Sequence, residues 1–145
     1  MLLQNKKIFF DFEIKETFTA GISLLGWEVK SLRARRANFR SSWAKISGGE
    51  IFLQNFKINP WPFSQQICDE LRPRKLLLKK REIRRIDAKI KERFIAVPTK
   101  IFEKNGKIKC EIALGRGRKK FEKRQILRER ATEKKMRQII KNFNS

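Results

Sequence analysis

The amino-acid sequence predicts a mainly β fold: a six-stranded antiparallel barrel with two or three short helices and a basic C-terminal tail. Apolar and charged residues alternate in several short segments, a pattern typical of strands that bury one face. Two glycine-containing dipeptides stand where tight hairpin turns are expected. After Gly115 the strand pattern stops, and residues 116–145 contain 12 Lys and Arg against 3 acidic residues. We therefore expect a barrel domain over residues 1–115 and a tail over residues 116–145.

The first strands are predicted near the N-terminus. Residues 10–15 alternate apolar with charged side chains, and Ile22 and Leu24 continue the alternation after Gly21. This pattern predicts two early strands. A short helix is predicted after them, over residues 30–38.

Two hairpins account for the other four strands. A dipeptide of Gly-Gly or Asn-Gly tolerates the positive φ angles that a two-residue hairpin turn requires. Alternating apolar residues on each side of such a turn then face one way and charged residues the other. The first hairpin joins residues 43–47 to 50–56 across Gly48 and Gly49, and the second joins residues 94–104 to 107–114 across Asn105 and Gly106.

A helix is predicted between the two hairpins. Within residues 72–93, Leu76, Ile83, Ile86 and Ile90 recur at helical spacing, and the other faces carry Lys and Arg. Short antiparallel strands combined with one or two helices suggest a closed or partly open barrel. That architecture often binds oligonucleotides.

The tail has a broken apolar stripe that includes Leu127, Met136 and Phe143. A helix with so little apolar surface is marginal in isolation. We expect the tail to be disordered alone and to become helical on a partner.

The net charge indicates a polyanionic partner. The 37 Lys and Arg exceed the 15 Asp and Glu by 22, and so large an excess costs stability through self-repulsion unless a phosphate backbone neutralises it. An anionic membrane is the rival partner, but it requires a long apolar span or bulky apolar anchors. Because neither these nor a signal peptide is evident, we expect a cytoplasmic nucleic-acid-binding protein that does not act at a membrane.

Catalysis and metal binding have little support in the sequence. Cys68 and Cys110 are isolated, and the chain contains no histidine, so the usual zinc ligands and the commonest general base are missing. The serines have no histidine partner, and the glycines after Leu114 lack the frame of a phosphate-binding loop. We expect no enzyme activity, no metal and no cofactor.

Basic residues form three clusters along the chain, and each is suited to binding phosphates. Most aromatic residues lie on apolar faces, so core packing is expected for Phe12, Phe18, Trp43 and Phe102. Phe121 lies instead within a basic stretch, where stacking on a base is expected at least as much as packing. The clusters are Lys30, Arg33, Arg35, Arg36 and Arg40; then Arg72, Arg74, Lys75, Lys79, Lys80, Arg81, Arg84 and Arg85; then Arg116, Arg118, Lys119, Lys120, Lys123 and Arg124.

Three stretches resemble motifs of the small protein B family, the tmRNA-binding proteins of trans-translation. Residues 26–33 read Gly-Trp-Glu-Val-Lys-Ser-Leu-Arg, and residues 72–83 contain the segment Arg-Lys-Leu-Leu-Leu. Residues 116–124 read Arg-Gly-Arg-Lys-Lys-Phe-Glu-Lys-Arg and resemble the family's tail junction. The three motifs follow one another in the family's order, and the resemblance extends over residues 5–130.

The resemblance implies a monomeric OB-like barrel that binds the tRNA-like domain of tmRNA, alongside elongation factor Tu on aminoacylated tmRNA. It also implies a tail that enters the empty mRNA channel and the 16S rRNA decoding centre of the small ribosomal subunit. The resemblance, carried over position by position, and the basic clusters together predict the RNA-binding residues, which are Asn5, Lys6, Lys7, Glu28, Lys30, Arg33, Arg74, Lys75, Leu77, Lys79 and Lys109. Those predicted to face the ribosome are Arg116, Arg118, Lys119, Lys120, Phe121, Lys123, Arg124, Ile139 and Ile140.

The sequence differs from the family pattern at several positions, two of which fall where RNA contacts are expected. Thr19 stands where the family usually has Glu, and Phe10 stands where it often has His. A ribosomal protein or a general RNA chaperone is the alternative interpretation, because it explains the charge and the barrel equally well. It does not explain the three motifs.

Overall fold

The computed structural model describes residues 1–64 and 68–143, with the side chains of residues 120, 121, 136 and 138–143 outside the description. Nine strands and four helices lie within these ranges. In chain order they are β1 (Leu3–Gln4), α1 (Ile8–Asp11), β2 (Phe12–Ile22), α2 (Gly26–Arg33), β3 (Ala37–Asn38), β4 (Trp43–Ser47), β5 (Glu50–Gln54), β6 (Lys57–Ile58), β7 (Arg74–Leu77), α3 (Lys80–Lys91), β8 (Ile95–Lys104), β9 (Lys107–Gly117) and α4 (Lys120–Phe143).

Seven strands form one antiparallel sheet in the order β1-β8-β9-β2-β7-β5-β4, and β3 pairs with β6. The edge strand β4 also contacts β8, so the sheet curls into a partly closed barrel. Six of the strands in this sheet have four or more residues, and β1, β3 and β6 have two each. The predicted mainly β antiparallel fold is thereby confirmed, and the short strands are additional to it.

The N-terminal elements differ from the prediction in extent. The two early strands are a single strand, β2, which pairs with β9 from Phe12 to Gly21 with a bulge between Ile14 and Glu16. Phe10 belongs to the short helix α1. The first long helix begins at Gly26 rather than at residue 30, because the carboxylate at its third position accepts a hydrogen bond from the backbone N–H that precedes the helix.

Both hairpins form where the turn dipeptides predict them. Gly48 and Gly49 have φ angles of 60° and 77°, and Asn105 and Gly106 have φ angles of 53° and 75°. These left-handed conformations match the twist of the flanking strands.

The prediction of one helix over residues 72–93 is wrong in its first part. Arg74 and Leu76 are buried whereas Lys75 and Leu77 are exposed, so the segment has the period of two that defines strand β7. The helix α3 starts at Lys80.

The core fills the barrel and extends beneath the helices. Its fully buried apolar side chains come from β2, α2, β5, β6, β7, α3, β8 and β9 and from the segment between β5 and β6. At roughly 25 cal/mol per Å² of buried apolar surface, this core is the main stabilising contribution to the fold. Its largest members are Leu32, Ile51, Leu53, Phe56, Ile58, Leu76, Ile86, Ile101, Ile112 and Leu114.

The tail leaves the barrel two residues later than the predicted boundary, because Arg116 and Gly117 pair with β2 as the last residues of β9. Helix α4 then contacts α1. The ammonium group of Lys123 lies 3.3 Å from Asp11 Oδ1 and 5.8 Å from the ring centroid of Phe10. Disorder of the isolated tail remains a prediction.

Candidate nucleic-acid interface

Glu28 and Arg74 lie in the interior, away from the predicted RNA surface. Both side chains are 0% exposed, and Arg74 Nε donates to Glu28 Oε2 at 2.6 Å. Arg72 Nη2 donates to Glu28 Oε1 at 2.6 Å, and the N–H of Leu25 donates to the same oxygen at 2.7 Å. Arg74 also donates to the backbone carbonyls of Phe56 and Glu70.

These contacts correct the sequence-based assignment of Glu28 and Arg74 as RNA-contacting residues. Their polar atoms are engaged within the protein, so RNA cannot reach them. Burial lowers the pKa of Arg74, and the charge of Glu28 opposes that shift. The pair instead joins α2 to β7 and fixes the position of the strand that carries Leu77.

Leu77 and Lys109 both line a groove of about 320 Å³, here called the Leu77 groove, which Gly21, Arg33 and Lys107 also line. Gly21 of β2 pairs with Leu77 of β7 on one side and with Lys109 of β9 on the other. A Cβ atom at Gly21 would lie 3.2 Å from Leu77 Cβ, so the glycine gives Leu77 room to lie across the strand. Leu77 remains 55% exposed.

The Leu77 groove is electropositive. Its lining includes three cations and no acidic residue. Arg33 on the rim is held by Glu103, with Nη2 and Oε1 2.9 Å apart. An exposed apolar side chain between cations can pack against a base or ribose while the cations bind phosphates.

Four other residues predicted to bind RNA are exposed cations away from this groove's lining: Lys6, Lys30, Lys75 and Lys79. Lys75 forms an ion pair with Glu50 at 3.2 Å, a surface interaction that RNA phosphates can replace.

A second groove, of about 470 Å³, lies at the other end of the barrel and is here called the junction groove. Asn5, Lys7, Arg40, Trp43, Arg118 and Lys123 are among its lining residues. Asn5 is fixed there by two hydrogen bonds, from its N–H to Thr99 O at 2.7 Å and from Nδ2 to Pro98 O at 3.1 Å.

The structure does not bring all the predicted RNA-binding residues together. Phe12, in the junction groove, and Gly21, in the Leu77 groove, stand near opposite ends of β2, nine residues and about 30 Å apart at about 3.3 Å per residue. Asn5 and Lys7 therefore lie with the tail residues Arg118 and Lys123.

The tail residues predicted to face the ribosome are described in part. The Arg116 guanidinium lies 4.3 Å from the ring centroid of Phe94 and packs over that ring. Lys119 and Arg124 are exposed. The side chains of Lys120, Phe121, Ile139 and Ile140 lie outside those that the structure describes.

Comparison with known proteins identifies the family. The family model described as SmpB protein matches residues 2–142. This chain belongs to the SmpB family.

Relatives in this family are similar along nearly their whole length. An SsrA-binding protein of Fervidobacterium nodosum is 43% identical over 144 residues, which are 97% of each chain. One from Thermosipho melanesiensis is 44% identical over 97% of this chain and 98% of its own. One from Persephonella marina is 46% identical over 87% of this chain and 84% of its own.

A solved SmpB structure has the same fold. Its chain, from a structure described as "tmRNA-SmpB: a journey to the center of the bacterial ribosome", superposes with a TM-score of 0.69 at 43% identity. The match covers 81% of this chain and 85% of that one.

Trp43 and Arg40 are among the residues of this SmpB-family chain that line the junction groove but were not predicted as site residues. Trp43 was expected in the core but is 42% exposed. Its strand, β4, buries Ala44 and turns Trp43 outward, an alternation that the sequence already contained. Arg40 belongs to a predicted basic cluster, and only the fold shows that it lies beside Arg118.

The described residues contain no helix that combines the length and the apolar character needed to cross a membrane. They also contain no group of three or more His, Cys, Asp or Glu side chains placed to hold a metal ion.

Proposed function

We propose that this chain binds the tRNA-like domain of tmRNA and brings it to stalled ribosomes for trans-translation. The observation that carries the proposal is the Leu77 groove, where an exposed leucine shares the lining with Lys109 and two other cations. The SmpB family match and the relatives that bind SsrA RNA support the same conclusion.

The chemistry of the groove fits a folded RNA read by its shape. An RNA elbow exposes unstacked base edges and ribose, which Leu77 can contact, and flanking phosphates, which Lys109, Lys107 and Arg33 can bind. Lys30, Lys75 and Lys79 extend the electropositive surface beyond the groove. The affinity should therefore depend on salt concentration, because each phosphate contact releases a counterion.

The tail has a separate part in the proposal. The junction residues Arg116, Arg118, Lys119, Lys120, Phe121, Lys123 and Arg124 contact the decoding centre of the small subunit, and α4 enters the empty mRNA channel with Ile139 and Ile140 on its apolar side. The barrel and the tail are thus two functional units, and elongation factor Tu accompanies the aminoacylated tmRNA. The chain acts in the cytoplasm as a monomer and catalyses no reaction itself.

Binding to tmRNA is tested by filter binding of the full chain to tmRNA and to a generic elongator tRNA. We expect clear preference for tmRNA, and Leu77→Glu should weaken tmRNA binding by tenfold or more because it places a carboxylate among the phosphates. Leu127→Glu is the matched control, because Leu127 is 53% exposed but lies on α4. Equal affinity for tmRNA and tRNA would favour the general RNA chaperone.

The role of the tail is tested by truncation after Arg118, which keeps β9 and its pairing with β2 complete. The truncated protein should retain most of its tmRNA affinity and lose peptide tagging on stalled ribosomes in a reconstituted translation system. Tagging that persisted without α4 would contradict the proposed division of roles.

A further inference from the structure

The junction groove is electropositive as well. Lys7, Arg40, Arg118 and Lys123 line it against a single acidic residue, Asp11, which Lys123 approaches to 3.3 Å. Three of the four cations therefore remain available to an anion. Four cations around one concave surface repel one another unless an anion lies between them.

Arg118 presents a donor that the protein does not satisfy. Its backbone N–H donates to Asp11 O at 2.8 Å and fixes the chain at the start of the tail. Its Nε is buried and has no hydrogen-bond partner among the described residues. A buried donor of a charged group is costly to leave unpaired, so a rotation of the Arg118 side chain that brings Nε to an anion in the groove is favourable.

Trp43 provides an aromatic surface beside these cations. The ring is 42% exposed although β4 belongs to the main sheet. The loop before it is held in place: the N–H of Arg40 donates to Asn38 Oδ1 at 2.8 Å, and Arg40 has a left-handed φ of 50°. Ser42 Oγ donates to Asn55 O at 3.4 Å. The positions of Arg40 and Trp43 are thus fixed by the loop backbone.

We propose that the junction groove is a binding site for one unpaired ribonucleotide of single-stranded RNA, an inference that rests on the proposed function. The base stacks on Trp43, and the phosphate is bound by Arg118 with Arg40 and Lys7. A groove of about 470 Å³ has the size of a small-molecule site. An aromatic wall in such a groove suits an unstacked base, whereas a duplex keeps its bases stacked and presents only its outer surface.

The site is tested with the full chain and a short fluorescein-labelled oligouridylate, by fluorescence anisotropy. Trp43→Ala should raise the Kd at least about fivefold, and Trp43→Phe should change it by less than about twofold because a ring is kept. Phe63→Ala is the matched control, since Phe63 is an exposed aromatic residue, 82% accessible, outside the groove. Equal weakening by Trp43→Ala and Phe63→Ala would overturn the proposal.

The phosphate contact is tested by Arg118→Gln against Lys104→Gln, two variants with the same net charge. Lys104 is exposed at the tip of the β8–β9 hairpin. Only Arg118→Gln should weaken oligouridylate binding markedly, and it should reduce the slope of log affinity against log salt by about one. Equal effects of the two variants would show a delocalised charge effect and would overturn the site.

Competition identifies the class of ligand. Excess single-stranded RNA should displace the labelled oligomer far more effectively than a duplex of equal length or poly-glutamate of equal charge. If poly-glutamate displaces the labelled oligomer as strongly as single-stranded RNA does, and if Trp43→Ala weakens both competitors equally, the groove binds acidic peptides. That result would overturn the proposal. Circular dichroism of each variant confirms that it is folded.

Two RNAs can supply the nucleotide, and Trp43→Ala distinguishes them. If Trp43→Ala weakens binding to small ribosomal subunits but not to tmRNA, the nucleotide belongs to ribosomal RNA. If the variant weakens binding to tmRNA but not to small subunits, the nucleotide belongs to tmRNA. Unchanged binding to both overturns the proposal. The Leu77→Glu test of the proposed function is independent of these results, because Leu77 lies on β7 and pairs with Gly21 at the other end of β2.

Discussion

Replacing Glu28 by Gln tests whether the buried ion pair stabilises the fold rather than binding RNA. The substitution keeps the shape of the side chain and removes its charge. Arg74, which is 0% exposed, then remains in the interior without a counter-charge. Arg72, whose Nη2 lies 2.6 Å from the carboxylate, loses its anionic partner as well.

Breaking a buried ion pair from one side costs about 3–5 kcal/mol. We expect about 3 kcal/mol for Glu28→Gln, the lower end, because the amide oxygen still accepts one hydrogen bond and Arg74 keeps the carbonyls of Phe56 and Glu70. A barrel of roughly 120 residues has an unfolding entropy of about 0.25 kcal/mol/K, so the Tm should fall by about 12 °C.

Thermal unfolding followed by circular dichroism measures this effect, and urea unfolding gives the free energy of unfolding. Glu103→Gln is the control, because it removes the exposed pair with Arg33 and should cost less than about 1 kcal/mol. Combining Glu28→Leu with Arg74→Met should recover only part of the loss: no fully buried charge is left unpaired, but the carbonyls of Phe56 and Glu70 lose the Arg74 donor and Arg72 loses its anionic partner. Unchanged stability in Glu28→Gln, together with a specific loss of tmRNA affinity, would refute the structural role.

Three further outcomes are expected from this structure. Gly115→Ala should destabilise the protein by about 1–3 kcal/mol, because the new Cβ would lie 2.7 Å from a carbonyl oxygen of the neighbouring strand. The control Gly117→Ala should be nearly neutral, because its Cβ would meet no atom within 4 Å. Urea unfolding measures the free energy of unfolding of both variants. Burial raises the pKa of Cys110, so its thiol should stay protonated at mildly alkaline pH, and mass spectrometry should find it alkylated by iodoacetamide only in urea. Leu77→Glu should leave the Tm within about 2 °C of wild type, since a substitution of an exposed side chain changes stability by roughly 0.5 kcal/mol or less, and scanning fluorimetry checks this.

The hairpins and the fold class could be predicted because their determinants are local. Gly48 with Gly49, and Asn105 with Gly106, specify their turns through backbone conformation alone. Strand β7 could not be found in the same way. Its inward positions include Arg74, and a buried arginine hides the alternation that marks a strand.

The location of Arg74 depends on a residue far away in the sequence. It is buried only because Glu28, 46 positions earlier, supplies the counter-charge. The chemistry of a basic cluster suggests phosphate binding for each of its members, and no local pattern distinguishes the member that pairs internally. Lys75 and Lys79, in the same cluster, are exposed as predicted.

The grouping of the site residues also required the fold. Leu77 and Lys109 lie on different strands, β7 and β9. They line the same groove because both strands pair with β2 at the same residue, Gly21. The family motifs supplied Leu77 as a candidate, since exposed leucines are common and carry no chemical signal of their own. The sequence predicts Trp43 in the core because an aromatic residue in a strand is usually buried.

Sequencing the RNA that co-purifies with the full chain from its own cells tests the central claim most directly. The proposed function predicts that tmRNA dominates the wild-type sample and is strongly depleted with Leu77→Glu. Recovery of mixed tRNAs and ribosomal RNA fragments, with no enrichment of tmRNA and no response to the substitution, would contradict it.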